Sequence, residues 1–344
     1  MTSASSRPPG LGPHVVGLRV VVRRVLRGET GPTGGPAFTD VLGVMESWSG
    51  TEATVRTEAG DLVRIRVADI VSGKPVPPRP SVRLRVPVEV AERRALASWP
   101  ALETAPLGEW LLRAADGYSA RANSVLADGD PGVTFGDAVA RVLAFYRERG
   151  LPAWTQVVVG SDVHLAFESH GWVLARPGEA DSLFQLASVS SALRVLRRSL
   201  PLDPPPVTVS PRVDEGWLSG DERAAAYGAA AIAVLEGPAE VGFASVRAPG
   251  SDEVVAVGRV ARGSGAVPGD DDWAGVTNIW VSPSRRRQGL GTVVMGALLD
   301  WAAERGATTA YLQVREDNAA GLGAYDRLGF VTHHAYRYLT PPGG

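Results

Sequence analysis

The sequence predicts an α/β protein with a mixed sheet, in which two related copies of one unit follow a small β-barrel. One observation is a strand, a glycine-bearing loop and a helix over residues 279–306. Another is the segment 125–150, which aligns without a gap with 281–306 at an offset of 156 residues. The last is a series of short alternating strands within residues 14–75.

The composition is that of a soluble globular protein of two or three domains. The 344 residues are 44% hydrophobic and 21% charged, with a formal net charge of −2. This charge gives no reason to expect nucleic acid or an acidic membrane as a partner. Without cysteine, disulfides, thiolate metal sites and a cysteine nucleophile are excluded.

No targeting or membrane segment is expected. Residues 1–13 are rich in Ser, Pro and Gly without an apolar stretch, which predicts a disordered tail rather than a signal peptide. No run of 18 apolar residues occurs, so a membrane span is not expected. The five histidines lack metal-ligand spacing. We therefore expect a cytoplasmic protein without a metal.

Residues 14–75 alternate between apolar and other side chains, as in a small β-barrel. Val16, Leu18, Val20 and Val22 share one face of the first strand. The loop 28–36 is long and rich in glycine, and we expect it to be mobile. The barrel could be a docking surface for a partner or substrate, or it could recognise nothing; the sequence leaves both open.

Two proline-rich linkers divide the rest of the chain. The first, Pro75–Pro80, precedes a copy predicted over residues 82–199, whose clearest element is an amphipathic helix over 135–149. The second, Pro201–Pro206, precedes a copy predicted over 207–340. In the second copy, a helix begins near Thr292 and ends at Gly306.

The loop before this second helix predicts a diphosphate site. A helix N-terminus carries free backbone N–H groups and a positive dipole end. Two glycines let the backbone approach a ligand, and three arginines add positive charge. The preceding strand can pair with an extended ligand. The predicted binding residues are Ile279, Trp280, Val281, Arg286, Arg287, Gln288, Gly289, Leu290, Gly291 and Thr292.

Two motifs in the second copy resemble the GNAT superfamily of N-acetyltransferases. Its pyrophosphate-loop motif matches Arg286, Gly289 and Gly291. Its later motif matches Asn318, Tyr325, Gly329 and Phe330, with Gly321 and Ala324 in place of the usual alanine and leucine. The resemblance implies tandem GNAT folds and acetyl-CoA as cosubstrate. It also implies that Tyr325 protonates the leaving thiolate and that Asn318 lies near the pantetheine arm.

The first copy has lost these residues. At the positions of Arg286, Gly289, Gly291 and Tyr325 it has Asp130, Val133, Phe135 and Phe167. Because an acidic residue would repel a diphosphate, the first copy is predicted to be a degenerate GNAT domain and the second the catalytic one.

The resemblance also implies a carboxylate as general base, on the central strand or just before it. Thr277 and Asn278 occupy the central strand, and the nearest carboxylates are at 270–272. Asp272 is our candidate, against a solvated acidic turn or a chain of water molecules.

The N-terminal module resembles the Src-homology-3-like domain of a bacterial histone-acetyltransferase-like family, through residues 39–43 and 74–80. Three functions stay open. The protein acetylates a protein or peptide amine, or acetylates a small amine in a cleft between the copies, or binds acyl-CoA without catalysis. Nucleic-acid binding through Arg19, Arg23, Arg24 and Arg27 is not expected, because acidic residues lie nearby.

Overall fold

The computed structural model describes residues 10–31, 34–57, 60–76, 82–266 and 268–343. The chain forms two compact units, residues 1–81 and 82–344. Most of the predicted N-terminal tail and of the first linker, residues 1–9 and 77–81, lies outside the described residues. Within the described ranges, no helix has the length and apolar character needed to cross a membrane.

The N-terminal unit is an antiparallel sheet of five strands in the order β4-β3-β2-β1-β5. The strands are β1 (Arg19–Thr30), β2 (Pro36–Trp48), β3 (Glu52–Thr57), β4 (Leu62–Arg66) and β5 (Ile70–Pro75). One face buries Val20, Val22, Met45, Val55 and Ile65 in a single core. The alternation in the sequence predicts Val20 and Val22 on this face correctly, because successive side chains of a strand point to opposite sides, whereas Val16 and Leu18 precede β1 and are exposed.

The predicted glycine-rich loop 28–36 is shorter in the structure. β1 continues to Thr30, and this residue pairs with Pro36 at the start of β2. Two of the arginines weighed for nucleic-acid binding form ion pairs on this unit, Arg23 with Asp40 at 2.8 Å and Arg27 with Asp69 at 2.6 Å.

The second unit begins with the first copy. Its elements are α1 (Val88–Ser98), β6 (Glu103–Leu107), β7 (Trp110–Ala114), β8 (Val125–Leu126), α2 (Phe135–Glu148), β9 (Thr155–Val158), α3 (Asp162–Ser169), β10 (Val173–Leu174), β11 (Ser182–Ser188) and α4 (Val189–Ser199). α2 and α3 begin at Thr134 and Ser161, whose side chains accept hydrogen bonds from the first turn.

The second copy completes this unit. Its elements are β12 (Thr208–Ser210), α5 (Glu215–Leu218), α6 (Glu222–Tyr227), α7 (Ala229–Glu236), β13 (Glu240–Arg247), β14 (Val254–Arg262), β15 (Trp273–Val281), α8 (Leu290–Glu304), β16 (Thr309–Arg315), α9 (Ala319–Arg327) and β17 (Val331–Thr340). α8 and α2 correspond within one residue at the predicted offset, so the repeat in the sequence is a repeat in structure.

All twelve strands of this unit belong to one sheet, and the two copies exchange their last long strands within it. The order is β12-β13-β14-β15-β16-β11-β17-β9-β8-β7-β6, with β10 beside β17. β11 of the first copy pairs with β16 of the second from Ser182↔Arg315 to Ser188↔Thr309. β17 of the second copy pairs with β9 of the first from Tyr336↔Val158 to Leu339↔Thr155.

This exchange joins the two predicted domains in one sheet. The sequence placed two separate domains at 82–199 and 207–340, but residues 82–344 form one compact unit. Each half depends on a strand of the other half. β11 of the first copy lies between β16 and β17, and β17 of the second copy lies between β9 and β11. A linker rich in proline separates elements along the chain and carries no information about which sheet they join.

We expect Phe184→Ala to destabilise both halves of the second unit together. Phe184 lies in the exchanged strand β11, is fully buried, and stacks on Tyr311 at 5.1 Å and on His334 at 4.9 Å. The expected loss is about 3–5 kcal/mol in the free energy of unfolding, from lost burial and a residual cavity. Urea denaturation followed by tryptophan fluorescence measures it, since both halves contain tryptophans.

The control is Leu165→Ala on α3, whose residue is 53% exposed and should change stability by about 1 kcal/mol or less. Two separate transitions, with only one shifted by Phe184→Ala, would contradict the cooperative unit.

Candidate functional site

The site is built where β15 and β16 separate. These parallel strands pair only from Trp273↔Thr309 to Val276↔Leu312. On the other edge of β15, Arg259 pairs with Thr277 and Val257 with Trp280, which leaves one extra residue on β15. This β-bulge includes Asn278, whose φ of 56° is left-handed, a conformation that asparagine tolerates better than most residues.

Beyond the last pair, the two strands border a groove of about 490 Å³. Its lining residues are Val276, Thr277, Asn278, Ile279, Leu312, Gln313, Val314, Arg315, Asp317, Asn318 and Tyr325. Of the three predicted strand residues, Ile279 lines the groove, whereas the side chains of Trp280 and Val281 pack against core clusters. Towards the groove, the described part of β15 has no strand partner after Val276. Its backbone can therefore pair with an extended ligand.

The predicted diphosphate loop lies directly after β15. α8 begins at Leu290, behind Gly289, whose φ of 80° is left-handed. No side chain caps this helix, so its first N–H groups are available to an anion. A Cβ added at Gly289 would meet no other atom within 4 Å, so this face of the loop is open.

The arginines of the loop are exposed, and in the described residues none of the three forms an ion pair with a carboxylate. Arg286 Nε donates to the Val281 carbonyl oxygen at 3.3 Å, which holds this side chain against the end of β15. Arg287 has a left-handed φ of 62°, and Gln288 is exposed beside it. The Thr292 N–H bonds the Gly289 carbonyl at 2.9 Å. The structure thus brings all the predicted loop residues into one turn.

The equivalent turn of the first copy is closed by its own side chains. Thr134 caps α2 by accepting from the Asp137 N–H at 3.2 Å. The Asp130 N–H donates to Glu109 Oε2 at 2.6 Å, and the Gly132 N–H to Asp130 Oδ1 at 2.8 Å. The protein's own carboxylates therefore accept the N–H groups of this turn.

Tyr325 extends into the groove from α9. Its ring contacts Phe330 edge-on at 5.9 Å, and no hydrogen bond to its hydroxyl exists among the described residues. Burial raises the pKa of this phenol, so the hydroxyl keeps its proton at neutral pH. In the first copy, the equivalent Phe167 is fully buried in an aromatic cluster with Trp110 and Phe135.

Asn318 lines the groove and also begins α9. Its Oδ1 accepts from the Gly321 N–H at 3.0 Å, so it is an N-cap. A Cβ at position 321 would lie 2.7 Å from Asn318 Nδ2. An alanine at this position would require the Asn318 amide to shift.

The structure places Asp272, the general base predicted from the sequence, away from the groove. This exposed residue lies before the first residue of β15, and the groove begins at Val276. Its carboxylate accepts from Thr308 Oγ1 at 2.7 Å, and its carbonyl accepts from the N–H groups of Thr308 and Thr309. At about 3.3 Å per residue, Asp272 is more than ~15 Å along the strand from Thr277. It stabilises the loop before β16.

A second cavity of about 260 Å³ meets the groove from the other side of the bulge. We call it the acceptor pocket. Its lining residues are Trp99, Tyr118, Ser119, Arg121, Asp221, Arg223, Thr277, Asn278 and Gln313. Thr277, Asn278 and Gln313 line both cavities. A molecule in the groove and another in the pocket would therefore meet at these three residues.

Hydrogen bonds around the bulge fix its polar groups. Asn278 Nδ2 donates to Asp221 Oδ2 at 2.5 Å, and Asp221 Oδ1 accepts from the Ala224 N–H at 2.9 Å. The buried Arg259 donates to the carbonyls of Leu235 and Ser98 and to Thr277 Oγ1. Burial lowers the pKa of this guanidinium, while three acceptors keep it charged.

Several polar atoms at this junction are buried without a partner in the described structure. They are Asn278 Oδ1 and both amide atoms of Gln313. Because a buried polar atom without a hydrogen bond is costly, a molecule at this junction would gain by bonding these atoms. Burial raises the pKa of the Tyr118 hydroxyl in the pocket, so this group is neutral.

The acceptor pocket could not be predicted from the sequence, because its lining residues come from distant parts of the chain. Trp99, Tyr118 and Arg121 belong to the first copy and reach the second only through the three-dimensional fold. Two residues of the second copy could have indicated it. Gln313 in β16 and Arg259 in β14 are polar side chains inside largely apolar strands. Among the described residues, no group of three or more His, Asp or Glu could hold a metal ion.

Comparison with known proteins gives the family. Residues 88–339 match the family model of the "Probable histone acetyltransferase Rv0428c C-terminal" domain. Residues 14–74 match the model of the Rv0428c N-terminal Sm-like domain. The second match corrects our Src-homology-3-like assignment. Both folds are small barrels of short alternating strands, and the alternation does not distinguish them.

A full-length relative is the probable histone acetyltransferase Rv0428c of Mycobacterium tuberculosis, 29% identical over 96% of this chain and 95% of the relative. A similar solved structure is a GCN5-related N-acetyltransferase from Kribbella flavida, with TM-score 0.53, 20% identity and coverage of 77% and 98%. A tandem GNAT protein of the clavulanic acid pathway has TM-score 0.50, 14% identity and coverage of 74% and 95%. These structures confirm the tandem GNAT fold.

We expect the bulge to tolerate glycine and reject a β-branched residue. At the left-handed φ of Asn278, valine should destabilise the protein by about 1–2 kcal/mol more than glycine, because its Cβ clashes with the backbone. Both variants lose the bond to Asp221, so their difference isolates the backbone. Urea denaturation of Asn278→Val and Asn278→Gly measures it, and equal stabilities would contradict a strained bulge.

Proposed function

The chain belongs to the Rv0428c family of N-acetyltransferases with the GNAT fold, and we propose that it transfers an acetyl group from acetyl-CoA to a primary amine. The observation that carries the proposal is the junction at Thr277, Asn278 and Gln313, where the groove and the acceptor pocket meet. Two substrates bound from opposite sides would touch there, as direct transfer in a ternary complex requires.

The residues present fit acetyl-CoA. The uncapped N-terminus of α8 and Arg285–Arg287 would hold the pyrophosphate by N–H groups and positive charge. The open edge of β15 at Ile279–Val281 would pair with the pantetheine arm in the manner of an added strand. Asn318 borders the same groove, where its amide would contact this arm.

Acetyl-CoA supplies an activated thioester, which the amine attacks directly because the chain has no cysteine to form an acetyl-enzyme. The backbone N–H groups of β15 after the bulge would stabilise the negative charge that develops on the carbonyl oxygen. Asn278 Oδ1 would accept an N–H of the amine, since Asp221 holds the other amide atom. Catalysis then rests mainly on the positioning of the two substrates.

Two residues would handle protons. Tyr325 lines the groove, keeps its proton at neutral pH and would give it to the leaving thiolate. Asp221 replaces Asp272 as the carboxylate next to the reaction and would receive the proton of the amine through water. A protein without catalysis would bind acetyl-CoA and turn over no amine, so turnover distinguishes the enzyme from a scaffold.

The proposal predicts that Gly289→Asp abolishes acetyl-CoA binding. The substitution adds a negative charge at the N-terminus of α8, where the pyrophosphate would bind, and forces a side chain into a left-handed φ of 80°. Gly171→Asp is a matched control, because Gly171 also has φ 80° and open space around its Cβ position, but lies after α3. Calorimetric titration with acetyl-CoA should show binding to the wild type and to Gly171→Asp, and no binding to Gly289→Asp. Unchanged affinity in Gly289→Asp would refute the site.

Tyr325→Phe should lower kcat by about 10²-fold or more and leave the acetyl-CoA affinity nearly unchanged, because it removes a proton donor and keeps the ring. The raised pKa means that the wild-type hydroxyl stays protonated until the pH exceeds the usual tyrosine value of about 10. Ionisation of Tyr325 should therefore cause no decline in kcat between about pH 7 and 9. Steady-state kinetics across this pH range measures kcat for the variant and the wild type. A normal kcat in Tyr325→Phe would mean that another group protonates the leaving thiolate.

A further inference from the structure

We propose that the acceptor is a small amine that also carries a carboxylate, bound by Arg121 and Arg223 in the acceptor pocket; this rests on the proposed function. The pocket is formed by both halves of the sheet. One end is the junction with the groove, and the other is the loop of the first half that carries Tyr118, Ser119 and Arg121. An acceptor would place its amine at the first end and its carboxylate at the second.

Arg121 is available for an anion. Its guanidinium stacks over the Trp99 ring at 4.8 Å, and its Nε and Nη1 are buried without an acceptor among the described residues. Arg121 also forms no ion pair with a described carboxylate. By contrast, ion-paired arginines such as Arg197, Arg212 and Arg315 lie on the surface. A buried guanidinium with unused donors is costly unless a ligand supplies the acceptor.

The loop that presents Arg121 is fixed before a ligand binds. The buried Asn123 accepts from the N–H groups of Ala115 and Gly117 and donates to the carbonyls of Tyr118 and Ser119. Ser119 has a left-handed φ of 63°, and its hydroxyl accepts from Trp99 Nε1 at 2.9 Å. This network determines where Trp99 and Arg121 lie, which favours a specific small ligand over an adaptable surface.

The charge around the pocket is positive. Arg121 and Arg223 line it, Arg259 lies behind Thr277 and Trp99, and the lining has one carboxylate, Asp221, which already accepts two hydrogen bonds. Arg223 is exposed and has no ion pair in the described structure. Such a potential attracts a carboxylate and repels the neighbouring positive charges of a basic protein tail.

The size of the pocket also favours a small acceptor. Its volume of about 260 Å³ lies just below the range of pockets that bind drug-sized ligands. The structure thus favours a small zwitterionic amine over the basic tail that the name of the Mycobacterium tuberculosis relative would suggest.

The experiment compares matched acceptors in the full-length protein with acetyl-CoA. The series contains glycine, β-alanine, 4-aminobutyrate, 5-aminopentanoate and L-lysine, each with its carboxamide and its alkylamine, together with a lysine-rich peptide. We expect at least one acid to exceed its own amide tenfold or more in kcat/KM. Calorimetry with the same acids in the presence of CoA measures binding independently of turnover.

Two variants test the arginines. Arg121→Gln and Arg223→Gln should each lower kcat/KM for the preferred acid at least tenfold and reduce its preference over the amide, and Arg121→Lys should restore part of it. Acetyl-CoA affinity should stay within twofold, since neither residue lines the groove. Arg141→Gln, an exposed arginine of α2, is the control and should change none of these values.

The inference is overturned if amides or the lysine-rich peptide are used as well as the acids, or if no acid is bound or acetylated. It is also overturned if both arginine variants retain the wild-type preference. Failure to bind acetyl-CoA, with normal binding of an acid, would instead refute the proposed function alone.

Discussion

The separation of β15 from β16 is the constraint on which the site depends. Four pairs hold the strands together up to Val276, and the bulge at Asn278 then turns β15 away. This gives the protein an unpaired strand edge inside a sheet, which would be a liability without a ligand to pair with it. The same bulge brings Asn278 to the boundary of both cavities, so one local irregularity creates the groove and connects it to the acceptor pocket.

The two halves differ in how the helix after the central strand begins. In the second half, the helix after the central strand starts behind Gly289, and no side chain caps it. In the first half, Thr134 caps the equivalent helix, and carboxylates of Glu109 and Asp130 accept the loop N–H groups. The first half has satisfied this part of its own backbone, and elsewhere it contributes Trp99 and Arg121 to the wall of the pocket.

Local patterns in the sequence predicted the repeat, its two main helices α2 and α8, and the order of strand, loop and helix at β15 and α8. Each of these depends on residues that are near one another along the chain. Asp272 lies away from the groove, because proximity in sequence to the central strand says nothing about which end of that strand borders the groove. The acceptor pocket and the strand exchange depend on contacts between distant segments, such as Arg259 with Ser98 or β9 with β17, which no local pattern encodes.

The exchanged strands have a consequence for synthesis on the ribosome. β9 ends at Val158, but its partner β17 starts only at Val331, near the C-terminus. At about 5–20 residues per second, the ribosome needs roughly 10–35 s to make the intervening chain. During that time the first half has an incomplete sheet with an open edge, a surface on which nascent chains aggregate. A chain that stops before β17 keeps this edge open, because no other described strand pairs with β9 on that side.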